Sequence, residues 1–514
     1  MATLKVWDLV ELQDYYKFVG TTWVFKIKKN KLNKPIKHKA RLCAQDFSQS
    51  IGVDFGKTYA PNGRLNSLHT LIAFACVNNL QFHQIDIKSA FLNAPLKETV
   101  YLSIPQGLDL NRKLYCLRLN KAIYGLRQAP LAWYKRLKNW LTLVNFSVCI
   151  LDPCIFHRPG KNPVWLYVHV YNIAIFSNDP ASFKKEIQKE FKITGVGPAD
   201  LMLGVKIHQL KDGISLDQKH FTEALLDQYG MSNCKPVVTP LTPNEYLSPA
   251  TSDEIQAFKK LNTNYRSAIG SINYLSTETR PDLSFAVSTL SQYLESPGLR
   301  HWQAFLHVLK YLNGSQNKGL YYPGQQTNGV TAFSNANWGN CRVTRHSTTG
   351  YLACFHRCLI FWKTCKQPSV SISTAEAEYK SLCDFTSEIM WFKQWREEAR
   401  LLTLREPILI YEDNQACIKT ANGDCNLNNK HLKHVDIQQH FIKEAIQRQI
   451  VCLCYIPSAH MLADFLTKSV NKETLEKSLQ ELCLLRLATL TFHLSFNITY
   501  NCSNHRSFLP CTTP

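Results

Sequence analysis

Residues 164–176 read VWLYVHVYNIAIF, two short apolar runs on either side of a polar centre. Both runs are rich in β-branched and aromatic residues, which is typical of buried strands. The stretch is far shorter than the ~20 apolar residues that a membrane-spanning helix needs. It therefore predicts a β-hairpin in which Tyr171 and Asn172 occupy the turn.

The chain around this hairpin has the size and composition of a globular protein with several domains. Its 514 residues are 45% hydrophobic and 11% aromatic, enough for about two to four domains with their own cores. The formal net charge of +20 favours a polyanionic partner such as nucleic acid, although it also fits a soluble basic enzyme. Residues 26–41, KIKKNKLNKPIKHKAR, are strongly basic, and they predict a solvated face or a strand pair that follows a phosphate backbone.

Cysteine usage and hydropathy set limits on the cellular compartment. The 18 cysteines are scattered, without a CxxC pair or a zinc-ligand spacing, which indicates reduced thiols rather than disulfides. No signal peptide opens the sequence, and no apolar run reaches the ~18 residues of a membrane span. We therefore expect an intracellular protein of the cytoplasm or nucleus that is not secreted and has no membrane contact.

Changes in composition divide the chain into segments. Residues 235–252, KPVVTPLTPNEYLSPATS, are rich in Pro, Ser and Thr and predict an extended linker, and a mostly helical stretch follows at 254–314. From residue 328 onwards, three strands, a helix at 374–395, a strand and further helices predict a separate α/β domain. The last part of the chain has few acids and no clear period, so 471–514 is expected to be a weakly structured tail.

Eight sequence blocks occur in one order along the chain. Together they resemble the polymerase polyprotein of Ty1/copia-type LTR retrotransposons. The blocks are KARLCAQDFSQ (39–49), QIDIKSAFLNAPL (84–96), AIYGLRQAPLAWY (122–134), GSINYLSTETRPDLSFAV (270–287), STAEAEY (373–379), YEDNQ (411–415), KHVDI (433–437) and ADFLTK (463–468). The resemblance implies a reverse transcriptase joined to a ribonuclease H, in a fragment of the polyprotein without its protease and integrase portions.

The resemblance also implies a multidomain fold of the α+β and α/β classes. Residues 1–234 would form the fingers and palm of a right-hand reverse transcriptase, and 235–325 the linker and a helical thumb or connection. Residues 326–470 would form a ribonuclease H-like domain, followed by the tail at 471–514. RNA template, RNA–DNA hybrid and deoxynucleotides are the implied partners, and the oligomeric state is left open.

In this family, nucleotidyl transfer uses two Mg²⁺ ions held by three carboxylates, one at a strand end and two adjacent in a hairpin turn. Asp86 in QIDIKSAF matches the first of them. Tyr171 and Asn172 stand where the two aspartates belong, and neither a phenol nor an amide is charged at pH 7. We therefore expect polymerase activity to be effectively absent. The alternative is a misaligned turn in which Asp179 substitutes as a ligand.

Three further positions match the nucleotide-binding part of the family's site. Phe91 matches the aromatic residue that lies under the sugar and excludes a 2′-hydroxyl, although a core role also fits it. Arg41 in KARL is expected to meet the triphosphate, and Gln128 in GLRQAP to contact the incoming nucleotide. The chain departs from the pattern at Gln45-Asp46, where the family has Lys-Gly, and an acid there is unfavourable beside a triphosphate.

The ribonuclease H of this family holds two Mg²⁺ ions with four carboxylates. Glu378 in STAEAEY, Asp413 in YEDNQ and Asp464 in ADFLTK match three of these metal ligands. The first acid is replaced, because FSNANW has Asn335 and Asn337 where the pattern has aspartates. We therefore expect weak metal binding by the three remaining acids, without turnover.

The helix that carries Glu378 has its own start signal. Ser373 and Glu376 match a capping box, in which each side chain satisfies a free backbone N–H of the first turn. A buried stripe follows at helical spacing, and its members are Leu382, Phe385, Ile389 and Phe392.

The replaced acids at both metal centres predict a degenerate copy of the element without catalysis. Two alternatives stay open: a nucleic-acid-binding protein that has kept its basic groove, and an active enzyme rescued by unusual ligands. His434 and His440 resemble a base or a metal pair, and we interpret them as structural parts of the region around KHVDI.

Overall fold

The structure is a computed structural model that describes residues 4–29, 35–243, 245–325, 329–401, 406–423 and 436–486. Its strands are β1 (Trp7–Glu11), β2 (Phe18–Val19), β3 (Thr21–Lys29), β4 (Pro35–Ala44), β5 (Gln81–Ile87), β6 (Tyr101–Leu102), β7 (Tyr115–Leu119), β8 (Ser147–Val148), β9 (Ile155–Arg158), β10 (Val164–His169), β11 (Asn172–Ser177), β12 (Ile193–Pro198), β13 (Leu201–Met202), β14 (Val205–Leu210), β15 (Gly213–Asp217), β16 (Lys318–Pro323), β17 (Val330–Asn337), β18 (His346–Phe355), β19 (Cys358–Val370), β20 (Ile408–Glu412), β21 (Val451–Tyr455) and β22 (Leu484–Arg486).

The helices alternate with these strands along the chain. They are α1 (Leu65–Val77), α2 (Ala129–Leu143), α3 (Pro180–Glu190), α4 (Lys219–Gln228), α5 (Ser252–Lys260), α6 (Tyr265–Glu278), α7 (Ser284–Ser291), α8 (Leu299–Gly314), α9 (Thr374–Glu398), α10 (Gln415–Asn422), α11 (Asp436–Gln447), α12 (Asp464–Thr467) and α13 (Lys472–Glu481). None of the helices in the described ranges is long and apolar enough to span a membrane.

A six-stranded sheet in the order β12-β5-β11-β10-β9-β8 forms the palm that the resemblance implies. The predicted hairpin is present, because β10 and β11 pair antiparallel from Val164↔Ser177 to His169↔Asn172. Its turn lies one residue earlier than predicted. Asn172 already belongs to β11, since it pairs with strand neighbours on both sides, and Val170 and Tyr171 make the turn.

The basic segment forms an exposed two-stranded ribbon beside the palm. Here β3 pairs antiparallel with β4 over most of their length, which brings Lys26 opposite Lys39. The ribbon joins the palm side of the molecule where the Ala44 N–H donates to the Tyr124 carbonyl over 2.8 Å. Gly125 permits this approach, because it has φ of +87° and a Cβ there would lie 2.1 Å from the Ala44 carbonyl oxygen.

The helical segment after the linker surrounds a buried ion pair. Arg280 donates from Nη2 to Asp282 Oδ2 over 2.7 Å, and both residues are almost completely buried. The Tyr311 hydroxyl of α8 donates to the same carboxylate oxygen over 2.6 Å, and Arg280 Nη1 donates to the Ser315 carbonyl over 3.1 Å. The block TETRPDLSF is therefore structural, because it ties α6, α7 and α8 together around one satisfied charge pair.

The α/β unit is a five-stranded sheet in the order β19-β18-β17-β20-β21. Its first three strands pair antiparallel, and β20 and β21 add in parallel to β17. Helix α9 crosses the sheet, and the predicted stripe of Leu382, Phe385, Ile389 and Phe392 is fully buried there. The predicted fold class, α+β and α/β with several sheets, is confirmed.

The segments that differ in composition are packed together in the fold. One apolar cluster extends from α1 and the palm through α5–α8 to α9. The Trp165 indole of β10 donates to the Ala399 carbonyl over 2.9 Å, and the Trp362 indole of β19 donates to the Ser276 carbonyl over 3.0 Å. Side chains of the palm, the helical segment and the α/β unit thus share one core.

The expected weakly structured tail at 471–514 is wrong for its first part. Asn471 caps α13 by accepting a hydrogen bond from the Thr474 N–H over 2.9 Å. The strand β22 then adds to a five-stranded sheet, β13-β14-β15-β16-β22, by pairing with β16. An edge strand of three residues carries too little pattern to be read from sequence, and β16 supplies its partner. Residues 487–514 lie outside the described residues.

Candidate active sites

The first centre lies where β5 passes between β11 and β12. Asp86 is directly opposite Asn172 of β11 and opposite Thr194 of β12. The Thr194 hydroxyl donates to Asp86 Oδ1 over 3.4 Å. The structure therefore brings together Asp86 and the two positions, 171 and 172, that the resemblance assigns to the missing aspartates.

Hydrogen bonds to two backbone carbonyls hold the turn of the hairpin. The Ile87 N–H donates to the Tyr171 carbonyl over 2.9 Å, and the Trp133 indole donates to the Val170 carbonyl over 2.7 Å. Val170 has φ of +55°, a conformation that is unfavourable for a β-branched residue. The turn is thus tightly fixed beside Asp86, and its geometry does not depend on acidic side chains.

Arg41 and Phe91 meet at one aromatic side chain that was not predicted from sequence. The Arg41 guanidinium lies 5.3 Å from the ring centroid of Tyr124, and the Phe91 ring lies 4.9 Å from it. Burial raises the pKa of Tyr124, and the positive charge of Arg41 opposes that shift. The buried Nε of Arg41 has no hydrogen-bond partner among the described residues. Arg41 and Phe91 thus both lie beside Tyr124, and the phosphate contact of Arg41 stays a prediction.

The amide of Gln128, which we expect to contact a nucleotide, is hydrogen-bonded within the protein. Gln128 is 2% exposed and stands at the N-terminus of α2. Its Nε2 donates to the Asp54 carbonyl over 2.8 Å, and its Oε1 accepts from Gln49 Nε2 over 3.1 Å. Both ends of the amide are therefore bonded within the protein. Gln128 connects the loop around residues 49–54 to α2 through these two hydrogen bonds. They satisfy the amide, as a buried polar group requires.

The two residues that depart from the family pattern lie at the edge of this centre. Asp46 is exposed, and its carboxylate lies 3.9 Å from the Arg127 guanidinium.

The alternative ligand Asp179 lies at the other end of β11, roughly 20 Å along the strand from Asn172. It caps α3 by accepting from the Ser182 N–H over 3.2 Å. Asp179 is thus not a substitute for the missing aspartates.

The second centre lies at the end of β20, under α9. Carboxylate oxygens of Glu378, Glu412 and Asp413 all lie within 4.8 Å of one another. Ser373 begins α9 as predicted, since its hydroxyl accepts from the Glu376 N–H over 3.1 Å. The other half of the capping box differs, because Glu376 accepts from the Ile372 N–H instead.

Glu412 was not among the residues predicted from sequence. Glu412 ends an apolar strand just before Asp413. The sequence pattern does not show which of two adjacent acids faces the site. In the structure Glu412 is fully buried. Burial raises the pKa values of Glu378 and Glu412 well above the ordinary range, and the charge of Glu412 adds to the shift at Glu378.

Asn335 and Asp464 form the other side of this centre. Asn335 is buried on β17, and its Nδ2 donates to Asp464 Oδ1 over 2.6 Å. Lys468 contacts the same carboxylate oxygen at 2.9 Å. Burial raises the pKa of Asp464, and Lys468 opposes that shift. Asp464 is therefore engaged by two internal donors at the position where the family uses it as a metal ligand.

The remaining predicted residues lie near this centre or away from it. Asn337 donates weakly to the Thr467 carbonyl, over 3.5 Å. His440 is exposed on α11. His434 lies outside the described residues.

The donor atoms at the two centres fit Mg²⁺ differently. Mg²⁺ prefers carboxylate oxygens. Beside Asp86, the first centre offers the amide of Asn172 and the phenol of Tyr171, which do not fit a pair of divalent ions. The second centre offers the buried carboxylates of Glu378 and Glu412 and the partly exposed carboxylate of Asp413, which fit a divalent ion better.

Comparison with known proteins identifies the family of the chain. Residues 4–243 match the family model described as "Reverse transcriptase (RNA-dependent DNA polymerase)". The chain is 32% identical over 482 residues to the "Retrovirus-related Pol polyprotein from transposon TNT 1-94" of Nicotiana tabacum, covering 91% of this chain and 36% of that protein. It is 31% identical over 487 residues to the Pol polyprotein from transposon RE1 of Arabidopsis thaliana, covering 94% of this chain and 33% of that protein.

Two more distant similarities were also found. The Ty1-H Gag-Pol polyprotein of Saccharomyces cerevisiae is 23% identical over 508 residues, covering 92% of this chain and 27% of that protein. A foamy viral protease–reverse transcriptase structure covers 82% of this chain and 49% of that chain at 12% identity, with a TM-score of 0.41. The chain spans about a third of the length of the curated relatives first named. It belongs to the reverse transcriptase family of Ty1/copia-type retrotransposon Pol proteins.

Proposed function

We propose that this chain is the reverse transcriptase and ribonuclease H portion of a copia-type Pol protein that has lost both catalytic activities. The observation that carries the proposal is the pairing of Asp86 with Asn172 across the palm sheet. One carboxylate remains where the reaction needs three. Two Mg²⁺ ions bring about four positive charges between them, and a single carboxylate leaves most of that charge uncompensated.

The rest of the polymerase centre is intact enough to bind nucleotide weakly. Arg41 offers a guanidinium for the triphosphate of a deoxynucleotide, and Phe91 offers an aromatic surface for its sugar. Divalent ions in this family stabilise the attacking and leaving oxygens. Without that stabilisation, binding by Arg41 and Phe91 does not lead to bond formation.

The ribonuclease H centre has lost the acid at position 335. The Asn335 amide donates to Asp464. This hydrogen bond occupies a carboxylate that would otherwise face a metal ion. We infer that an RNA–DNA hybrid binds at this centre without being cut.

We assign the chain to the segments expected from sequence, with one change at the C-terminal side. Residues 1–234 form the fingers and palm, 235–325 the linker and helical connection, and 326–470 the ribonuclease H-like domain. Residues 471–486 belong to the folded part through α13 and β22. The protein acts inside the cell, in the cytoplasm or nucleus, where RNA templates and deoxynucleotides are available.

A pair of activity assays tests the loss of catalysis. The full chain is incubated with a primed RNA template and deoxynucleotides, and separately with a labelled RNA–DNA hybrid, in Mg²⁺ and in Mn²⁺. We expect neither primer extension nor hybrid cleavage above a heat-inactivated sample. Extension of the primer by the unaltered chain would contradict the proposal for the polymerase, and hybrid cleavage would contradict it for the ribonuclease H.

A second candidate function is nucleic-acid binding without catalysis, and the β3–β4 ribbon favours it. Trp23 and Phe25 stack with ring centroids 6.2 Å apart, and Phe25 is 75% exposed. Lys26 and Lys39 lie opposite one another on the same ribbon. Because side chains alternate along a strand, the aromatic rings lie on one face of the ribbon and the two lysines on the other. The ribbon thus offers one face for stacking with bases and one for phosphate contacts, the two interactions that bind a single strand.

Binding of single-stranded RNA at varied salt tests this second candidate. We expect affinity to fall by at least about a hundredfold between roughly 50 and 200 mM salt. Phe25→Ala is expected to weaken binding by about tenfold. The control Leu143→Ala changes a side chain of α2 that is 80% exposed, and it should leave binding unaltered. Equal effects of the two substitutions would contradict a role for the ribbon.

A further inference from the structure

Glu412 is an additional acid beside the ribonuclease H residues. The family resemblance assigns Glu378 and Asp413 to metal binding, and it gives Glu412 no role. In the structure all three side chains offer carboxylate oxygens within 4.8 Å of one another. A cluster of this kind is costly, because three like charges repel one another where water cannot screen them.

Two of these carboxylates have an oxygen with nothing to bind. Glu412 is 0% exposed and Glu378 is 7% exposed. Oε2 of each is buried and has no hydrogen-bond partner among the described residues. Oε1 of Glu412 accepts from the Asn414 N–H over 3.1 Å. Buried polar atoms are normally satisfied, so two unpartnered carboxylate oxygens within one acid cluster indicate a missing positive partner.

The register of the sheet places Glu412 and position 335 on different faces. Strands β17 and β20 run parallel with Phe333 beside Tyr411. Continuing that register places Ser334 beside Glu412, and the hydroxyl of Ser334 contacts Ser381 of α9. Because side chains alternate along a strand, Asn335 points to the opposite face, where it binds Asp464, and the next step of the register places Asp413 beside it. Glu412 therefore joins the cluster from the face that α9 covers, which is not the face of residue 335.

We propose that Glu378, Glu412 and Asp413 bind a single hard divalent cation, of the class of Mg²⁺ or Mn²⁺, with Glu412 as a direct ligand. The donors are all carboxylate oxygens, which such ions prefer over the nitrogen and sulfur ligands typical of zinc. The inference rests on the proposed ribonuclease H assignment for Glu378 and Asp413. It adds Glu412 to the two acids that the resemblance assigns to metal binding.

Mn²⁺ binding to the full chain tests the proposal directly. Titration followed by electron paramagnetic resonance of free Mn²⁺ is expected to show one tight ion per chain, and Mn²⁺ is expected to raise the melting temperature. Glu412→Gln keeps the shape of the side chain and removes its charge. Loss of an outer-shell group typically costs 10–100-fold in metal affinity, so loss of this ligand should weaken binding by at least about tenfold.

Glu278→Gln is the matched control. Glu278 is also a largely buried carboxylate whose Oε2 has no partner among the described residues, but it is not part of the acid cluster. This control should bind Mn²⁺ like the unaltered chain. If Glu412→Gln fails to fold, Glu378→Gln serves as the second variant, and the stoichiometry of the unaltered chain decides by itself.

The outcomes separate this inference from the proposed loss of catalysis. Mn²⁺ binding without hybrid cleavage supports both. The absence of a tight ion on the unaltered chain, or equal binding by Glu412→Gln, overturns the inference and leaves the proposed function standing. Mn²⁺ binding accompanied by hybrid cleavage supports the site and contradicts the loss of ribonuclease H activity.

Discussion

Asn172 of β11 lies directly opposite Asp86 of β5 in the antiparallel register of the palm sheet. This relationship places a neutral amide beside the carboxylate that would hold the catalytic metal ions. The surrounding hydrogen bonds, from Ile87 to the Tyr171 carbonyl and from Trp133 to the Val170 carbonyl, keep the turn in place. The turn therefore keeps its backbone geometry without acidic side chains at positions 171 and 172. Substitution at these two positions can test whether carboxylates restore function.

Restoring the two acids is expected to restore primer extension. The double variant Tyr171→Asp, Asn172→Asp returns two carboxylates to a turn whose backbone is already fixed. Because metal-centred stabilisation is worth several kcal/mol, we expect a gain of at least about a thousandfold over the unaltered chain. Extension of a primed RNA template in Mn²⁺ measures it. Adding Asp86→Asn to the double variant should abolish the gain. A double variant that folds without any extension would show that other positions have also decayed.

Asn335→Asp is expected to change both stability and hydrolysis. The substitution replaces the donor that binds Asp464 Oδ1 with a second buried carboxylate. We expect the free energy of unfolding without divalent ions to fall by about 1–3 kcal/mol, and Mn²⁺ to recover it. Urea denaturation with and without Mn²⁺, together with hybrid cleavage, measures both effects. The control is Asn337→Asp, because Asn337 makes only a long contact with Thr467. Identical behaviour of the two variants would contradict a special role for position 335.

Glu278 is expected to lower stability as pH rises. Burial raises the pKa of Glu278 from its ordinary 4.5 to about 7. Between these values the unfolded chain releases the proton and the folded chain keeps it, so the free energy of unfolding decreases with increasing pH. Glu278→Gln removes this loss and should stabilise the protein by about 1–3 kcal/mol at pH 8, with little effect at pH 4.5. Urea denaturation at both pH values compares the two proteins. An equal stability difference at the two pH values would contradict the shift.

Arg280→Met is expected to be strongly destabilising. Arg280 neutralises Asp282 in a site where both are almost fully buried. Removing one partner leaves an uncompensated charge, which costs about 3–5 kcal/mol of unfolding free energy. Chemical denaturation measures the loss. The double variant Arg280→Met, Asp282→Leu removes the charge pair as a unit and should recover part of it. A double variant as unstable as Arg280→Met would point to lost packing instead of the unpaired charge.

Part of the local structure followed from local pattern. The apolar runs at 164–176 predicted the hairpin, and the position of Asp86 beside that hairpin followed from the family resemblance. Ser373 was correctly expected to begin a helix, since capping depends on residues only three positions apart. The turn of the hairpin was misplaced by one residue, because a strand end is set by its partners and β5 extends the ladder to Asn172.

The sequence by itself determined the palm hairpin, the helix that Ser373 begins, the family, and the residue types at positions 171, 172 and 335. Those are properties of residue types and their spacing. Only the tertiary structure decided that Gln128 is buried, that Asn335 binds an aspartate 129 residues away, and that Glu412 joins Glu378 and Asp413. Contacts between distant segments depend on how strands pair and how α9 crosses the sheet, and side-chain direction along one strand does not reveal which side chains it meets.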